Sequence, residues 1–162
     1  MINFVEIFKN IPPEIATTLI AMTPIGENRA SVPIALTVYN MSVWQALLWS
    51  ILGSIIAAAI IIFFLDKIRK LMIKNLNFAD KFFIWLDTRT EQKFTKKYEK
   101  WGEIALILFV AIPLPVTGAW TGSFAAVLFG IKPARALLFI SIGVILSASI
   151  VALMTLGVIN LI

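Results

Sequence analysis

VWQALLWSILGSIIAAAIIIFFL, Val43 to Leu65, contains no charged residue. As an α-helix it would be about 35 Å long, enough to cross the hydrocarbon core of a bilayer. The whole chain shares this bias: of 162 residues, 60% are hydrophobic and 14% are charged, and the mean hydropathy is +0.94. A soluble domain carries about 25% charged residues. Residues 1–162 therefore read as a single all-α integral membrane domain. A second long apolar run extends from Pro133 to Ile162, with Arg135 near its start and no charge after it. Pro133 suits a first helical turn, where its missing N–H would have no partner anyway.

Two further apolar regions are interrupted. Residues 15–40 are split by Pro24, Gly26 and Pro33, and residues 104–130 by Pro113, Pro115, Gly118 and Gly122. Each fragment is too short to cross alone, so both regions read as re-entrant helical hairpins. Irregular backbone at membrane depth is tolerated only where protein or a wet cavity covers it. If both hairpins crossed fully instead, the chain would have six spans.

Between these parts lies a charged connector, 66–103, with ten of the fourteen Lys and Arg residues and six acidic ones. Phe78, Phe82 and Trp85, then Phe94, Tyr98 and Trp101, recur at helical spacing, while Lys93, Lys96, Lys97 and Lys100 fall largely on other faces. The pattern predicts cytoplasmic amphipathic helices at the membrane surface, with their aromatics at headgroup depth. Topology already accounts for these basic residues, so no nucleic-acid partner is implied. The first residues, MINFVEIFKNIPP, show no basic n-region or cleavage site, and no signal peptide is expected.

Shifting the chain by 90 residues lays ALLWSILGSIIAAAI (Ala46–Ile60) over ALLFISIGVILSASI (Ala136–Ile150), with Ala46, Leu47, Leu48, Gly53, Ile55, Ala58 and Ile60 meeting identical residues. Tyr39 then falls on Phe129 and, with one residue of slippage, Pro24 on Pro113. The division is repeat 1 at about 11–65, the connector 66–103, and repeat 2 at about 104–162. Basic residues mark the cytoplasmic side. The first span then runs inward, Lys132 and Arg135 return to the cytoplasm, the last span runs outward, and both termini lie outside. The halves form an inverted repeat of hairpin plus spanning helix, an architecture that places a transport site near the midplane.

Cysteine and histidine are both absent, which excludes disulfides, thiol catalysis and the commonest metal ligands. No nucleophile–base set, metal cluster or phosphate loop is present, so neither an enzyme nor a cofactor is expected. In TPIGENRASVPIAL (Thr23–Leu36), Glu27 is the one acidic residue expected at membrane depth, since Glu6 and Glu14 lie near the N-terminal end. Charges there are costly and point to function. Glu27 is the candidate proton carrier; desolvation and Arg29 act on it in opposite senses. Arg29 suits a phosphate or carboxylate. Residues i and i+2 of a helix point in opposite directions, so the two should not pair along one helix. Gly26 and Pro33 suggest a turn around them, with Asn28 or Ser31 as a cap.

In IPLPVTGAWTGSFAAVLFG (Ile112–Gly130), Pro113 and Pro115 force an extended stretch, and Thr117 could cap a new helix with Gly118 in its first turn. The free N–H groups of such a half-helix suit an anion. Gly118, Gly122, Ala126 and Gly130 would form one smooth face for close helix contact.

GENRASVPIAL together with IPLPVTGAWTG resembles the small multidrug export protein family, which is related to the DedA/VTT superfamily. That resemblance implies two re-entrant helices facing each other in an inverted repeat, in a prokaryotic cytoplasmic (inner) membrane. It also implies proton-motive-force-linked membrane homeostasis and movement of lipids, including polyprenyl phosphates. DedA proteins typically carry an arginine-rich motif in the second hairpin, where this chain has only small and hydroxyl residues.

The expectation is a proton-coupled or facilitative transporter of an anionic or amphipathic substrate. Its site would be formed by Glu27, Asn28, Arg29, Pro33, Pro113, Pro115, Thr117, Gly118, Trp120, Thr121 and Gly122. Protons and membrane lipid are the expected partners. The alternatives are an uncoupled lipid scramblase, and an assembly or scaffold protein whose small-residue face at 118–130 builds a homo-oligomer such as a dimer.

Overall fold

The computed structural model describes residues 11–75, 96–114 and 117–159. They form six α-helices and no strand: α1 (Pro13–Met22), α2 (Glu27–Thr37), α3 (Val43–Asn75), α4 (Lys96–Ala111), α5 (Ala119–Leu128) and α6 (Pro133–Ile159). Pro13 and Pro133 occupy first turns, where proline's fixed φ favours a helix. Ser42 opens α3 through a reciprocal pair with Gln45. The Gln45 N–H donates to the Ser42 hydroxyl at 3.4 Å, and the Ser42 N–H donates to Gln45 Oε1 at 3.2 Å.

Val43–Leu65 and Pro133–Val158 are long and apolar enough to cross a membrane. Helix α3 does not stop at Leu65, where the apolar run ends. Asp66–Asn75 contains no glycine or proline, so hydrogen bonding carries the helix on to 33 residues, about 50 Å. At its far end the connector yields to α4 at Lys96, before residue 104. Of the connector's aromatics, Phe78, Phe82, Trp85 and Phe94 lie outside the described residues, while Tyr98 and Trp101 fall in the first turns of α4.

The helices fall into two series, α1–α2–α3 and α4–α5–α6, whose contacts correspond. Helix α1 packs on α3 as α4 packs on α6, and α2 packs on α6 as α5 packs on α3; the two long helices pack on each other. The turns correspond as well. Asn40 after α2 (φ 50°) and Gly130 after α5 (φ 67°) both take the left-handed conformation that ends a helix. After α5 the Ile131 N–H closes on the Ala126 carbonyl at 2.9 Å, and after α2 the Met41 N–H closes on Ala35 at 2.9 Å.

Close approach depends on two glycines at matching places. A Cβ on Gly53 would run into the Thr18 carbonyl and lie 2.8 Å from Ala21 Cβ. A Cβ on Gly143 would lie 2.9 Å from the Ile107 carbonyl oxygen and 2.7 Å from Val110 Cβ. Thus α1 and α4 each rest against the bare backbone of a long helix. The core between them is small and apolar: Ala58, Ile62, Leu106, Val110, Ala119, Ala126, Ala136, Ile140 and Val144 are all buried. Trp44, Phe63, Phe64, Leu153 and Met154 point outward and are exposed. An apolar exterior over a tightly packed interior is the distribution that lipid solvation favours.

The glycine contacts can be tested directly. Gly143→Ala should destabilise the fold by about 1–3 kcal/mol through overpacking against α4. Gly157→Ala, with nothing within 4 Å of the added atom, should be neutral or slightly stabilising. Thermal unfolding of the purified protein in detergent would read both; equal melting of the two variants would refute the close-packing account.

Candidate functional site

The two helix breaks meet. In the first, 23–26, the Thr23 hydroxyl donates to the Ile20 carbonyl (2.8 Å) and accepts from the Gly26 N–H (2.9 Å). In the second, the Thr117 hydroxyl bonds the carbonyls of Ile112 (2.7 Å) and Leu114 (2.8 Å) and accepts from the Leu114 N–H at 3.2 Å. Thr117 therefore serves the chain behind it and does not cap α5. That helix begins at Ala119, with Gly118 as its N-cap and no side-chain cap of its own.

Glu27 supplies what α5 lacks. Its side chain is 7% exposed as a residue, and its Oε1 accepts the backbone N–H of Trp120 at 3.1 Å. A carboxylate at a helix N-terminus satisfies an orphan donor and faces the positive end of the helix dipole. Arg29 flanks it: Nη2 lies 3.5 Å from Glu27 Oε2 and also donates to the Thr117 carbonyl. The Trp120 indole N–H donates to the Met22 carbonyl at 3.0 Å, tying the breaks together a third time.

The expectation that Glu27 and Arg29 would not pair is wrong, because it assumed helical backbone at both. Glu27 has φ 38°, outside the right-handed region, so its side chain leaves the direction a regular helix would give it. Pro33 is not a turn residue either; it lies inside α2. Its ring removes the bond that would have reached the Arg29 carbonyl, and the helix continues because Val32 and Ala35 on either side are fully buried. Neither Asn28 nor Ser31 caps α2, whose N-cap is Gly26.

A cavity of about 240 Å³ opens beside the pair, lined by Pro24, Glu27, Arg29, Thr117, Trp120, Thr121 and Phe124. Of the residues singled out in the sequence, Glu27, Arg29, Thr117, Trp120 and Thr121 converge here. Gly118 touches the Glu27 carboxylate from behind. Asn28 turns the other way, its amide donating to the Val144 carbonyl at 3.2 Å and its oxygen accepting from Ser54 at 3.0 Å. Gly122 packs against Val110, and Pro33 and Pro113 do not line the cavity; Pro115 lies outside the described residues. Pro24 and Phe124 were missed, although Phe124 shares a helix face with Trp120 at the i+4 spacing.

The small residues of α5 face inward. Ala119, Gly122, Ser123 and Ala126 are buried within the chain, and Gly130 lies past the helix end. That face is thus occupied by the chain's own α3, α4 and α6.

Residues 27–150 match the family described as "Putative small multi-drug export protein". No curated protein and no solved structure matches the chain. The matched region begins at Glu27, directly after the first break, and contains the second break and most of both long apolar helices, which together mark a membrane protein.

Gly118 is the residue on which this geometry is most sensitive. Its φ of 141° and ψ of −166° lie in a region open essentially to glycine alone, and a Cβ there would collide with Glu27 Oε2. Gly118→Ala should cost about 2 kcal/mol or more and separate the two breaks. A cysteine pair placed across the two breaks should cross-link in the parent and fail to do so in this variant; unchanged cross-linking would refute the arrangement.

Proposed function

Because the chain belongs to the small multi-drug export protein family, we propose that it is a membrane transporter that moves an anionic or amphipathic solute and exchanges a proton at Glu27. One observation carries this reading: the buried Glu27 and its half-buried partner Arg29 bridge both helix breaks beside a cavity, at mid-depth of the two long helices. Asn28, next to Glu27, bonds Ser54, the central residue of Val43–Leu65, and Val144, near the centre of Pro133–Val158. Broken helices whose ends meet at mid-depth are the usual setting of a transporter's site.

The chemistry follows from what Glu27 occupies. An anion entering the cavity would seek the Trp120 N–H and the Arg29 guanidinium, and the Glu27 carboxylate already holds both. Protonation of Glu27 weakens its hold and leaves Arg29 and the α5 N-terminus free for an anionic group. Deprotonation restores the internal pair and expels that group. Proton and anion would therefore bind together, keeping the site near neutrality in a low-dielectric setting. Trp120, Phe124 and Pro24 offer the apolar wall that an amphipathic solute requires. A lipid phosphate fits the same chemistry and links this reading to the DedA/VTT resemblance.

The corresponding helix series support an inverted repeat in which α1–α2 and α4–α5 are re-entrant hairpins. The Arg135–Glu103 ion pair, at 3.6 Å, sets the start of α6 level with the end of the connector, which supports a cytoplasmic 66–103 and outward termini. The scaffold alternative loses its main support, since the small-residue face of α5 is spent inside the chain.

Glu27→Gln keeps the shape and a hydrogen-bonding oxygen but cannot carry the proton. In proteoliposomes, solute movement by the parent should respond to an imposed pH gradient, and the variant should lose that response at least tenfold while its melting temperature stays within a few degrees. Gradient-driven transport that survives Glu27→Gln would rule out proton exchange at this residue, and movement independent of any gradient in the parent would make the protein an uncoupled scramblase.

A further inference from the structure

On the opposite side of α2 from the cavity lies a second polar cluster that the transport reading does not use. Ser54 Oγ lies 3.0 Å from Asn28 Oδ1 and 3.5 Å from the Ala21 carbonyl oxygen. Ser31 and Ser50 carry fully buried hydroxyl oxygens without a hydrogen-bond partner. Ser31 stands one turn beyond Asn28 on α2, and Ser50 one turn before Ser54 on α3. The two helices are joined by the short 38–42 turn and pack against each other, so both hydroxyls fall on the turn side of the Asn28–Ser54 contact, one helical turn from it. A buried hydroxyl left unpaired costs about 1–3 kcal/mol, and two in one place call for an occupant.

The donor inventory identifies that occupant's chemistry. The Asn28 amide nitrogen is committed to the Val144 carbonyl, so the group turned toward Ser54 is its oxygen. Ala21 lies one residue from the end of α1, and its carbonyl belongs to the last turn of that helix, the negative end of its dipole. The cluster therefore presents neutral oxygens, with more lone pairs than hydrogens, at a helix C-terminus. That combination suits a cation. With no carboxylate among the five groups, a divalent ion would be poorly compensated, whereas a monovalent ion would not require one. A cation of calcium's size holds oxygens at about 2.3–2.6 Å, hence about 3.3–3.6 Å from one another, close to the spacings around Ser54. Sodium is the singly charged ion of that size.

We propose that Ala21, Asn28, Ser31, Ser50 and Ser54 form a sodium-binding site, separate from the Glu27–Arg29 cavity. Its ligands come from both sides of the first helix break and from the long helix α3. A bound ion would fasten the broken hairpin to the span, using the unwound carbonyl and half-helix end that transporters offer to sodium.

The test uses the purified full chain in detergent, melted in NaCl, KCl and choline chloride at equal ionic strength. Sodium should raise the melting temperature by several degrees over the other two, with saturation as its concentration increases, as for any ligand that binds the folded state alone. Ser50→Ala and Ser54→Ala should abolish the sodium increment while melting near the parent in choline. Glu27→Gln should keep it, so loss of proton coupling and loss of sodium binding remain distinguishable. Equal melting of the parent in all three salts would overturn the proposal and leave the hydroxyls to a water molecule. A sodium increment that survives both serine variants, or one lost in Glu27→Gln, would overturn the assigned location.

Discussion

The contact between the Glu27 carboxylate and the N-terminus of α5 is the constraint on which the rest of this structure depends. A charge in an apolar interior is tolerated only when its oxygens are bonded and its charge is met. The far half of the chain supplies the bond, from the Trp120 N–H, and Arg29 of the same helix, held against the Thr117 carbonyl, meets the charge. The N–H is available because α5 starts in the middle of the packed interior and carries no cap of its own. Gly118 follows from the same contact, as does the departure of Glu27 from helical backbone: each is strained or bare so that the carboxylate can reach the helix end. Bringing the breaks together also requires α1 and α4 to lie close on the long helices, which Gly53 and Gly143 permit.

Around that contact the two halves solve the same packing problem with matching residues. Asn40 and Gly130 end the short helices, and Gly53 and Gly143 admit the preceding ones; Thr23 and Thr117, four residues out of step on the 90-residue shift, each satisfy a break with a hydroxyl. The correspondence fails where the polar chemistry lies. On the 90-residue shift Glu27 falls on Thr117, Arg29 on Ala119, and Ser54 on Val144. Each first-half residue brings a charge or a hydroxyl where the second half offers backbone or a methyl group. The halves are alike as scaffolds and complementary as sites: one provides side chains, the other provides the helix end and the carbonyls that receive them.

What could be read in the sequence was whatever depends on hydropathy and on backbone chemistry local to a residue. The two long apolar helices follow from uninterrupted runs, and the breaks from Pro24–Gly26 and Pro113–Gly118. Glu27 and Arg29 stood out because charge is rare in such a chain, and the second break because two prolines and a glycine leave it few alternatives. Other features escaped because they are decided elsewhere. The end of α3 is set by helix propensity in Asp66–Asn75 and not by the end of its apolar run. Pro33 is carried inside α2 by the burial of its neighbours. The pairing of Glu27 with Arg29 depends on a positive φ that only the distant Trp120 N–H makes worthwhile. The inward face of α5 had looked equally suited to a partner chain, since small residues favour close contact without specifying whose helix comes close.

A broken helix offers more than a pause in the chain, because each break frees two ends of opposite polarity. In this protein the ends are used separately. The N-terminus of α5 receives a carboxylate, and the C-terminal carbonyls of α1 receive the Trp120 indole N–H at Met22 and look toward neutral oxygens at Ala21. Adjacent residues face the two environments, Glu27 turning toward the cavity and Asn28 toward Ser54 and Val144. Because Glu27 and Asn28 are consecutive at the start of α2, a rotation of that short helix that loosens one set of bonds must disturb the other. The helix is only 11 residues long and begins on a residue with left-handed backbone. Its stability therefore depends on packing more than on its own hydrogen bonds. The cavity and the far face of α2 are thus joined by a single short element, and coupling between them would require no longer path.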